Sequence, residues 1–216
     1  NFYNNTVSNC TIGSGTATAT GSIYGIYHYS SPTSVGTMNI YNNSVNNLNR
    51  IQSTAGSGSC YYFYISGGNG TAYIYNNSVT NITTSTTSTQ YIFYNLYSGT
   101  KYTYDNIISN INGPRSTVYA LYNGNGVTGY FYRNQISKIT GNTTSAIIYG
   151  IYQSSGTTNY YYNNFISELY APDATGNPAI YGAYISGTTV GFYNNTIYLD
   201  ASSTGASFGT VGIYAS

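Results

Sequence analysis

The hexapeptide Ile40-Tyr41-Asn42-Asn43-Ser44-Val45 is one of seven copies of a motif that repeats along this chain of 216 residues. The usual order is an apolar residue, Tyr, Asn, Asn, any residue, and Val or Ile, and the Tyr and the second Asn occur in every copy. The second Asn is found at Asn5, Asn43, Asn77, Asn106, Asn134, Asn164 and Asn195, so successive copies lie 28–38 residues apart. A motif that recurs at this period indicates a repeat architecture.

A second phrase, typified by Ile23-Tyr24-Gly25-Ile26-Tyr27, falls between the copies of the first. Its last Tyr occurs in all seven repeats, and Ser, Gly, Thr or Asn residues that favour turns usually follow it. Both phrases are rich in β-branched and aromatic residues, and helix signals are missing throughout. Each repeat is therefore predicted to hold about three short strands separated by turns.

A unit of about 30 residues with three strands cannot bury its apolar face alone, so neighbouring units must stack. We predict an all-β solenoid, a parallel β-helix of about seven coils of 28–38 residues, as a single domain over residues 1–216. This domain is either an excerpt of a longer solenoid or a unit that stacks on others. A seven-bladed propeller is the structural rival, but four-stranded blades usually need about 40 residues or more.

The motifs resemble those of the right-handed parallel β-helix repeat proteins, whose coils commonly carry an Ile-x-Asn-Asn-x-Ile turn and a Gly-Ile-Tyr strand. The resemblance covers essentially the whole chain and implies a right-handed solenoid of the type found in secreted bacterial surface proteins and filaments. That fold carries polysaccharide lyases and hydrolases, adhesins, phage tailspikes and surface fibres, so the resemblance alone selects no function.

Stacking in register would place equivalent residues of successive coils about 4.8 Å apart, so that identical residues form columns. The invariant Asn is then expected to form a hydrogen-bonded ladder and to adopt the left-handed conformation that turns the strand sharply. Two apolar columns are assigned to the core. They are Val7, Val45, Val79, Ile108, Ile136, Ile166 and Ile197, and Ile26, Phe63, Phe93, Leu121, Ile151, Ala183 and Ile213.

Two full columns of tyrosine lie beside these core columns, and strand alternation predicts that they face outward. They are Tyr3, Tyr41, Tyr75, Tyr104, Tyr132, Tyr162 and Tyr193, and Tyr27, Tyr64, Tyr94, Tyr122, Tyr152, Tyr184 and Tyr214. One repeat argues against this orientation, because Lys101, Thr103 and Asp105 share the parity assigned to the interior. Outward tyrosines would either stiffen the solenoid by packing across coils or present flat rings and hydroxyls to a glycan or a partner protein.

Charge is scarce: five Lys or Arg and four Asp or Glu give a net charge of +1. This balance argues against nucleic-acid binding, and no apolar run approaches the roughly 20 residues that span a bilayer, so we expect no membrane embedding. Column alignment predicts two stacked ion pairs, Asp105 with Arg133 and Glu168 with Lys138.

The remaining carboxylates, Asp173 and Asp200, fall in corresponding loops of successive coils, where a catalytic pair is an alternative left open. His28 is expected to be an inert surface residue beside Tyr27. Cys10 and Cys60 permit one disulfide at most and make poor zinc ligands. No catalytic residue, metal site or cofactor is therefore predicted.

The sequence favours a non-enzymatic structural or adhesive β-solenoid outside the cell, because a neutral surface of hydroxyls and amides suits an extracellular protein. We expect a building block of a cell-surface fibre whose partners are other copies stacked end to end, or flanking coils of the same polypeptide. Repeating this block covalently would leave only seven residues between Tyr214 and the next invariant Asn, where existing copies use eleven to sixteen. The alternative is a β-helix that binds or cleaves polysaccharide.

Overall fold

A computed structural model describes residues 1–13, 21–51, 58–113 and 117–216 of the chain. These residues form strands and turns without any helix that is long and apolar enough to cross a membrane. The strands are β1 (Phe2–Tyr3), β2 (Thr6–Ile12), β3 (Ile23–Ser30), β4 (Thr37–Tyr41), β5 (Ser44–Arg50), β6 (Cys60–Gly67), β7 (Thr71–Tyr75), β8 (Ser78–Thr84), β9 (Gln90–Tyr97), β10 (Thr100–Tyr104), β11 (Ile107–Asn112), β12 (Thr117–Asn123), β13 (Thr128–Tyr132), β14 (Gln135–Thr140), β15 (Ile147–Gln153), β16 (Thr158–Tyr162), β17 (Phe165–Ser167), β18 (Leu169–Tyr170), β19 (Ile180–Ile185), β20 (Thr189–Tyr193), β21 (Thr196–Tyr198) and β22 (Thr210–Ala215).

The strands assemble into three parallel sheets, and every third strand of the chain joins the same sheet for most of its length. The first sheet has the order β1-β4-β7-β10-β13-β16-β20, the second β2-β5-β8-β11-β14-β17-β21 with β18 beside β14, and the third β3-β6-β9-β12-β15-β19-β22. The chain thus passes each face seven times and completes about six turns. The predicted β-solenoid is confirmed.

The register places like residues over like residues. Tyr41 pairs with Tyr75 in the first sheet, and Val45 pairs with Val79 in the second. Parallel pairing in this register lets each coil repeat the side-chain contacts of the previous one, so a short sequence motif is sufficient to specify a long stack.

The two core columns lie inside the solenoid as predicted, with differences at the terminal coils. Members of the central coils are fully buried, whereas Val7 and Ile197 are partly buried and pack against the core. The assignment of Ile213 to the core is wrong, because its side chain is 56% exposed. Ile213 lies in β22, and none of the described strands pairs with the outer edge of β22.

The sharp turn between the first and second sheets is made by the residue before the invariant Asn, and the sequence-based assignment of the turn to the invariant Asn is wrong. Left-handed φ angles of 52–58° occur at Asn4, Asn42, Asn76, Asp105, Arg133, Asn163 and Asn194. A second left-handed column, at Asn9, Asn47, Asn81, Asn110, Lys138 and Glu168, interrupts the strands of the second sheet. Asn suits both columns because its short side chain tolerates this conformation.

Lys138 occupies a left-handed position that four of the other five coils with this feature fill with Asn. Lys138→Asn is therefore expected to raise the free energy of unfolding by about 0.5–1 kcal/mol, because a non-Gly side chain other than Asn or Asp is strained there. Chemical denaturation measures the change. Lys138→Ala is the matched control and should bring no such gain, so equal stabilisation by both substitutions would contradict the explanation.

Candidate functional site

The outer surface of the third sheet carries two rows of tyrosine, one more than predicted. In β6 the side chains of Tyr61 and Tyr64 lie half-exposed, while Tyr62 and Phe63 between them are both buried. Two consecutive inward residues break the alternation of the strand. The register also skips the column of Tyr62, which carries Gly25 in the first coil. This break brings tyrosines three residues apart onto the same surface.

We call the two rows together the tyrosine face. Its residues are Tyr24, Tyr61, Tyr91, Tyr119, Tyr149 and Tyr181 in one row, and Tyr27, Tyr64, Tyr94, Tyr122, Tyr152, Tyr184 and Tyr214 in the other. Ring centroids within a row are 4.5–5.3 Å apart. Rings of adjacent rows meet edge to face at 4.6–6.2 Å, as at Tyr91–Tyr94 and Tyr181–Tyr214. Both geometries are favourable for aromatic pairs.

The first sheet carries the other predicted column and a shorter one. The rings from Tyr3 to Tyr193 stack at 4.8–5.2 Å with interplanar angles of 1–5°. A second stack joins Tyr73, Tyr102, Tyr130 and Tyr160. The members of both predicted columns are half-buried or exposed, so their outward orientation agrees with the prediction.

The stacking determines which parts of the rings a ligand can reach. Neighbouring rings in a column lie about as far apart as the strands themselves, so no sugar ring fits between them. Their faces are covered by one another, and the surface presents ring edges and hydroxyl groups. The rings are therefore not the flat platforms that the sequence-based interpretation described, although the columns run outward as expected.

Burial raises the pKa of several phenols of the tyrosine face. Desolvation, followed by repulsion from neighbouring phenols, raises the pKa of Tyr91 to about 12 and that of Tyr149 to about 12. These two phenols are neutral at physiological pH, and a neutral phenol can both donate and accept hydrogen bonds.

The invariant asparagines form the predicted ladder, which runs through all seven coils inside the corner between the first and second sheets. Nδ2 of each Asn donates to Oδ1 of the Asn in the next coil at 2.8–3.0 Å, from Asn5 to Asn195. Each Oδ1 also accepts the backbone N–H of the preceding ladder Asn, as from Asn43 to Asn77 at 3.0 Å. Each Nδ2 beyond the first coil bonds a carbonyl of the coil before it, as from Asn77 to Ile40 at 3.0 Å. The central amides thus use all their hydrogen-bonding capacity.

A buried polar cluster lies inside the middle coils between the third and first sheets, and the sequence analysis missed it. Its members are Asn95, Lys101, Thr103, Asn123, Gln153, Asn159 and Tyr161, all at most 1% exposed. Asn123 Nδ2 donates to Asn159 Oδ1 at 3.0 Å and to the Tyr161 hydroxyl at 2.8 Å. The signal was present, because coils on either side have Ile65 and Ile185 where these coils have Asn or Gln.

Lys101 and Thr103 point inward, which removes the objection they raised to outward tyrosines. Lys101 Nζ donates to the carbonyl oxygens of Gly124 at 2.7 Å and Asn125 at 3.2 Å. Asp105, by contrast, lies in the left-handed column at the corner, and its side chain is partly exposed. The alternation that turns Lys101 and Thr103 inward therefore does not extend to Asp105, at the corner between the first and second sheets.

Burial lowers the pKa of Lys101 to about 7, far below its ordinary value of 10.5. Between these values the unfolded chain binds a proton that the folded chain does not, so stability should rise with pH by up to about 1.4 kcal/mol per pH unit. Lys101→Met is expected to abolish this rise between pH 7 and pH 10 in urea denaturation. Lys138→Met, on an exposed lysine, should leave it. A rise that persists in Lys101→Met would contradict the assignment.

One of the two predicted ion pairs forms in the structure. Arg133 binds Asp105 through two hydrogen bonds of 2.8 and 2.7 Å and lies over the Tyr132 ring, so this predicted pair is confirmed. The predicted pair of Glu168 with Lys138 is wrong: the two share a column, but the only salt bridge among the described residues joins Arg133 and Asp105. Both residues are at least partly exposed to solvent, where an ion pair gains little.

The loop of Asp173 lies against the segment that follows Asp200, because the Pro172 carbonyl accepts hydrogen bonds from the Ser203 hydroxyl and the Thr204 N–H, both at 2.9 Å. Asp173 and Asp200 are exposed on loops, and Asp200 accepts a long 3.5 Å hydrogen bond from the Tyr198 hydroxyl. Within the described residues, no group of three His, Cys, Asp or Glu could hold a metal ion.

His28 is placed differently from the prediction of a surface residue. It shares the inward column of Ile65, is half-buried, and contacts the Phe2 ring edge to face at 5.6 Å. Burial, and secondarily the charge of the N-terminus, lowers its pKa. Its neighbours in the column are apolar or amide side chains.

The two cysteines are unbridged. Cys10 lies in the second sheet opposite Leu48, whereas Cys60 lies in the third sheet opposite Ile23, and both thiols are free. The Cys60 sulfur is 2.7 Å from Nη1 of the buried Arg50, which also donates to the Gly58 carbonyl. Desolvation raises the pKa of the Cys60 thiol despite this contact.

These features define the chain as a tyrosine-rich parallel β-solenoid with an internal asparagine ladder. Comparisons with protein-family models, with curated proteins and with solved structures find no match. The function must therefore be argued from the surfaces and ladders described above.

Proposed function

We propose that this protein is a non-enzymatic structural β-solenoid, a building block of a fibre at the cell surface. The observation that carries the proposal is the continuity of the asparagine ladder and of both predicted tyrosine columns through all seven coils. Repeated identical contacts along one axis make a stiff rod.

The edges of the terminal strands support extension of the rod. Among the described strands, β3 and β22 each have a neighbour along one edge only, and Ile213 is exposed beside the other edge of β22. An unpaired β-edge beside an apolar side chain favours a further coil. This coil comes from the same polypeptide or from a second copy in head-to-tail contact, which yields an open filament.

An extracellular location is part of the proposal. Only nine charged residues occur in the 216, and hydroxyl and amide side chains take their place. A cytosolic protein ordinarily relies on charge to remain dispersed, whereas a neutral surface favours association into fibres.

Electron microscopy of the protein as its cell makes it tests this proposal. We expect fibres of uniform width, and fibre diffraction should show a meridional spacing of about 4.8 Å from the coils. Particles that remain separate and no longer than a few coils would contradict a role in filaments.

The alternative, a β-helix that binds or cleaves polysaccharide, is tested with acidic and neutral polysaccharides, with and without calcium. Cleavage that disappears in Asp173→Asn or Asp200→Asn would overturn the non-enzymatic proposal. Binding without cleavage that is lost on Tyr→Ala substitution in the tyrosine columns would favour a lectin-like module.

A further inference from the structure

The third sheet is unlike the other two in its charge. Its strands β3, β6, β9, β12, β15, β19 and β22 contain no Asp, Glu, Lys or Arg. The second sheet carries Arg50 and Lys138, and the first carries Lys101, with Asp105 and Arg133 at its corner. An uncharged surface rich in tyrosine has the composition typical of the core of a protein interface.

The size of this surface also matches an interface. Seven strands at about 4.8 Å, with about six residues each at 3.3 Å, give a flat area of about 20 by 34 Å. Stable complexes bury about 800 Å² on each partner, so the third sheet alone supplies most of a standard interface. The tyrosine face fills the centre of this area along its whole length.

We propose that the tyrosine face docks against the tyrosine face of a second copy of this chain, so that two rods associate side by side. This inference rests on the proposed structural role. A second copy has the same axial spacing of about 4.8 Å, so the ring edges and hydroxyls of one rod can meet those of the other in the same register at every coil. A two-fold axis makes the contact self-complementary, and the absence of charge removes repulsion between like surfaces.

The geometry of the rings favours this occupant over a polysaccharide. Sugars bind aromatic side chains mainly against the ring face, and here the faces are covered within each column. Edges and hydroxyls remain, and the hydroxyls of two opposed rows can donate to and accept from each other. Neutral phenols suit this contact, because ionised ones would repel across the interface.

Thr89 and Thr117 allow a test that leaves the ring stacks intact. They lie half-exposed in adjacent coils at the margin of the third sheet, immediately before or at the start of β9 and β12. Lysine at both positions adds charge to the proposed interface. The matched control places lysine at Thr71 and Thr100, which are half-exposed and directly paired at the starts of β7 and β10 in the first sheet.

Analytical ultracentrifugation and small-angle X-ray scattering of the full chain provide the measurements. We expect wild-type dimers with an unchanged length and a doubled cross-section, a dissociation constant at least about tenfold weaker in Thr89→Lys/Thr117→Lys, and no such loss in Thr71→Lys/Thr100→Lys. Circular dichroism confirms that both variants fold. If the lysine pair unfolds the chain, Tyr94→Phe/Tyr122→Phe, which keeps the rings, should still weaken the dimer.

Four results would overturn the inference. Wild-type chains that stay monomeric at all concentrations, or dimers that resist lysine on the third sheet, would exclude the interface. Dimers of doubled length and unchanged cross-section would support end-to-end filaments while excluding side-by-side docking. Polysaccharide binding that the Thr89→Lys/Thr117→Lys variant loses, in the absence of dimers, would assign the tyrosine face to a glycan.

Discussion

Replacing Asn106 with alanine is expected to lower the free energy of unfolding by about 3–4 kcal/mol, because several buried groups lose their partners at once. Asn106 is 1% exposed, and its Nδ2 donates to Asn134 Oδ1 and to the Ile74 carbonyl, both at 3.0 Å. Its Oδ1 accepts the backbone N–H and Nδ2 of Asn77, both at 3.0 Å. The corner offers these groups no water in exchange, since the neighbouring rungs are equally buried.

Urea denaturation measures the loss, and two further variants define its origin. Asn112→Ala removes an exposed amide six residues further along the same coil and should change stability by at most about 0.5 kcal/mol. Asn106→Asp keeps the acceptor but removes both donors and buries a charge at neutral pH, so it should destabilise at least as much as alanine. A loss from Asn106→Ala no larger than that from Asn112→Ala would show that the ladder is not a source of stability.

The protein is expected to remain folded in moderately alkaline solution and to unfold between about pH 10 and pH 12. Phenols titrate near 10.0 in the unfolded chain, but burial raises the pKa of Tyr91, Tyr132 and Tyr149 to about 12. The pKa of Tyr161, buried in the polar cluster, is also raised by desolvation. Between the two values the folded state binds more protons than the unfolded state, so stability falls as pH rises. Below about pH 10 the phenols are protonated in both states, and their full contribution to the free energy of unfolding is present.

Absorbance at the phenolate band, recorded together with far-ultraviolet circular dichroism, tests this prediction. Phenolate should appear late and steeply, together with the loss of β-structure, while chains in concentrated denaturant should titrate near pH 10. Tyr91→Phe/Tyr149→Phe removes two of the shifted groups and should move the loss of structure to higher pH. Phenolates that form near pH 10 with the β-structure intact would contradict a folded state that keeps these phenols neutral.

The repeat period and the columns could be predicted from sequence because each structural position recurs once in each of the seven coils, in the same environment. Seven observations of Asn at one position identify a ladder, and seven of Val or Ile identify a core column. Asp105 and Arg133 were placed together by the same logic, and the 2.7 Å contact confirms it. Because the repeats fix the register of strand pairing, the neighbours of a residue in the adjacent coils can be identified from the sequence.

The second tyrosine row and the position of the left-handed residue could not be predicted, because both depend on local breaks in the strict alternation of inward and outward residues. The break at Gly25 and its equivalents turns Tyr24 and Tyr27 to one side, whereas alternating strands would separate residues three apart. The left-handed residue was assigned one position too late, because Asn occupies both positions in most copies. The polar cluster around Lys101 is confined to a few coils, so its signal is a local replacement of Ile by Asn or Gln in one column and not a repeated motif.

The asparagine ladder also gives the rod a direction. Every amide donates toward the next coil, and its bonds to the backbone on either side prevent any single amide from turning round, so the amide dipoles add along the axis. The two ends of the ladder are therefore chemically inequivalent. The Oδ1 of Asn195 in the last rung already accepts from Asn164, whereas no ladder Asn donates to the Oδ1 of Asn5 in the first rung. An assembly built by adding such units end on end must be polar and can elongate differently at its two tips, whereas a side-by-side pair related by a two-fold axis across the rods cancels the polarity.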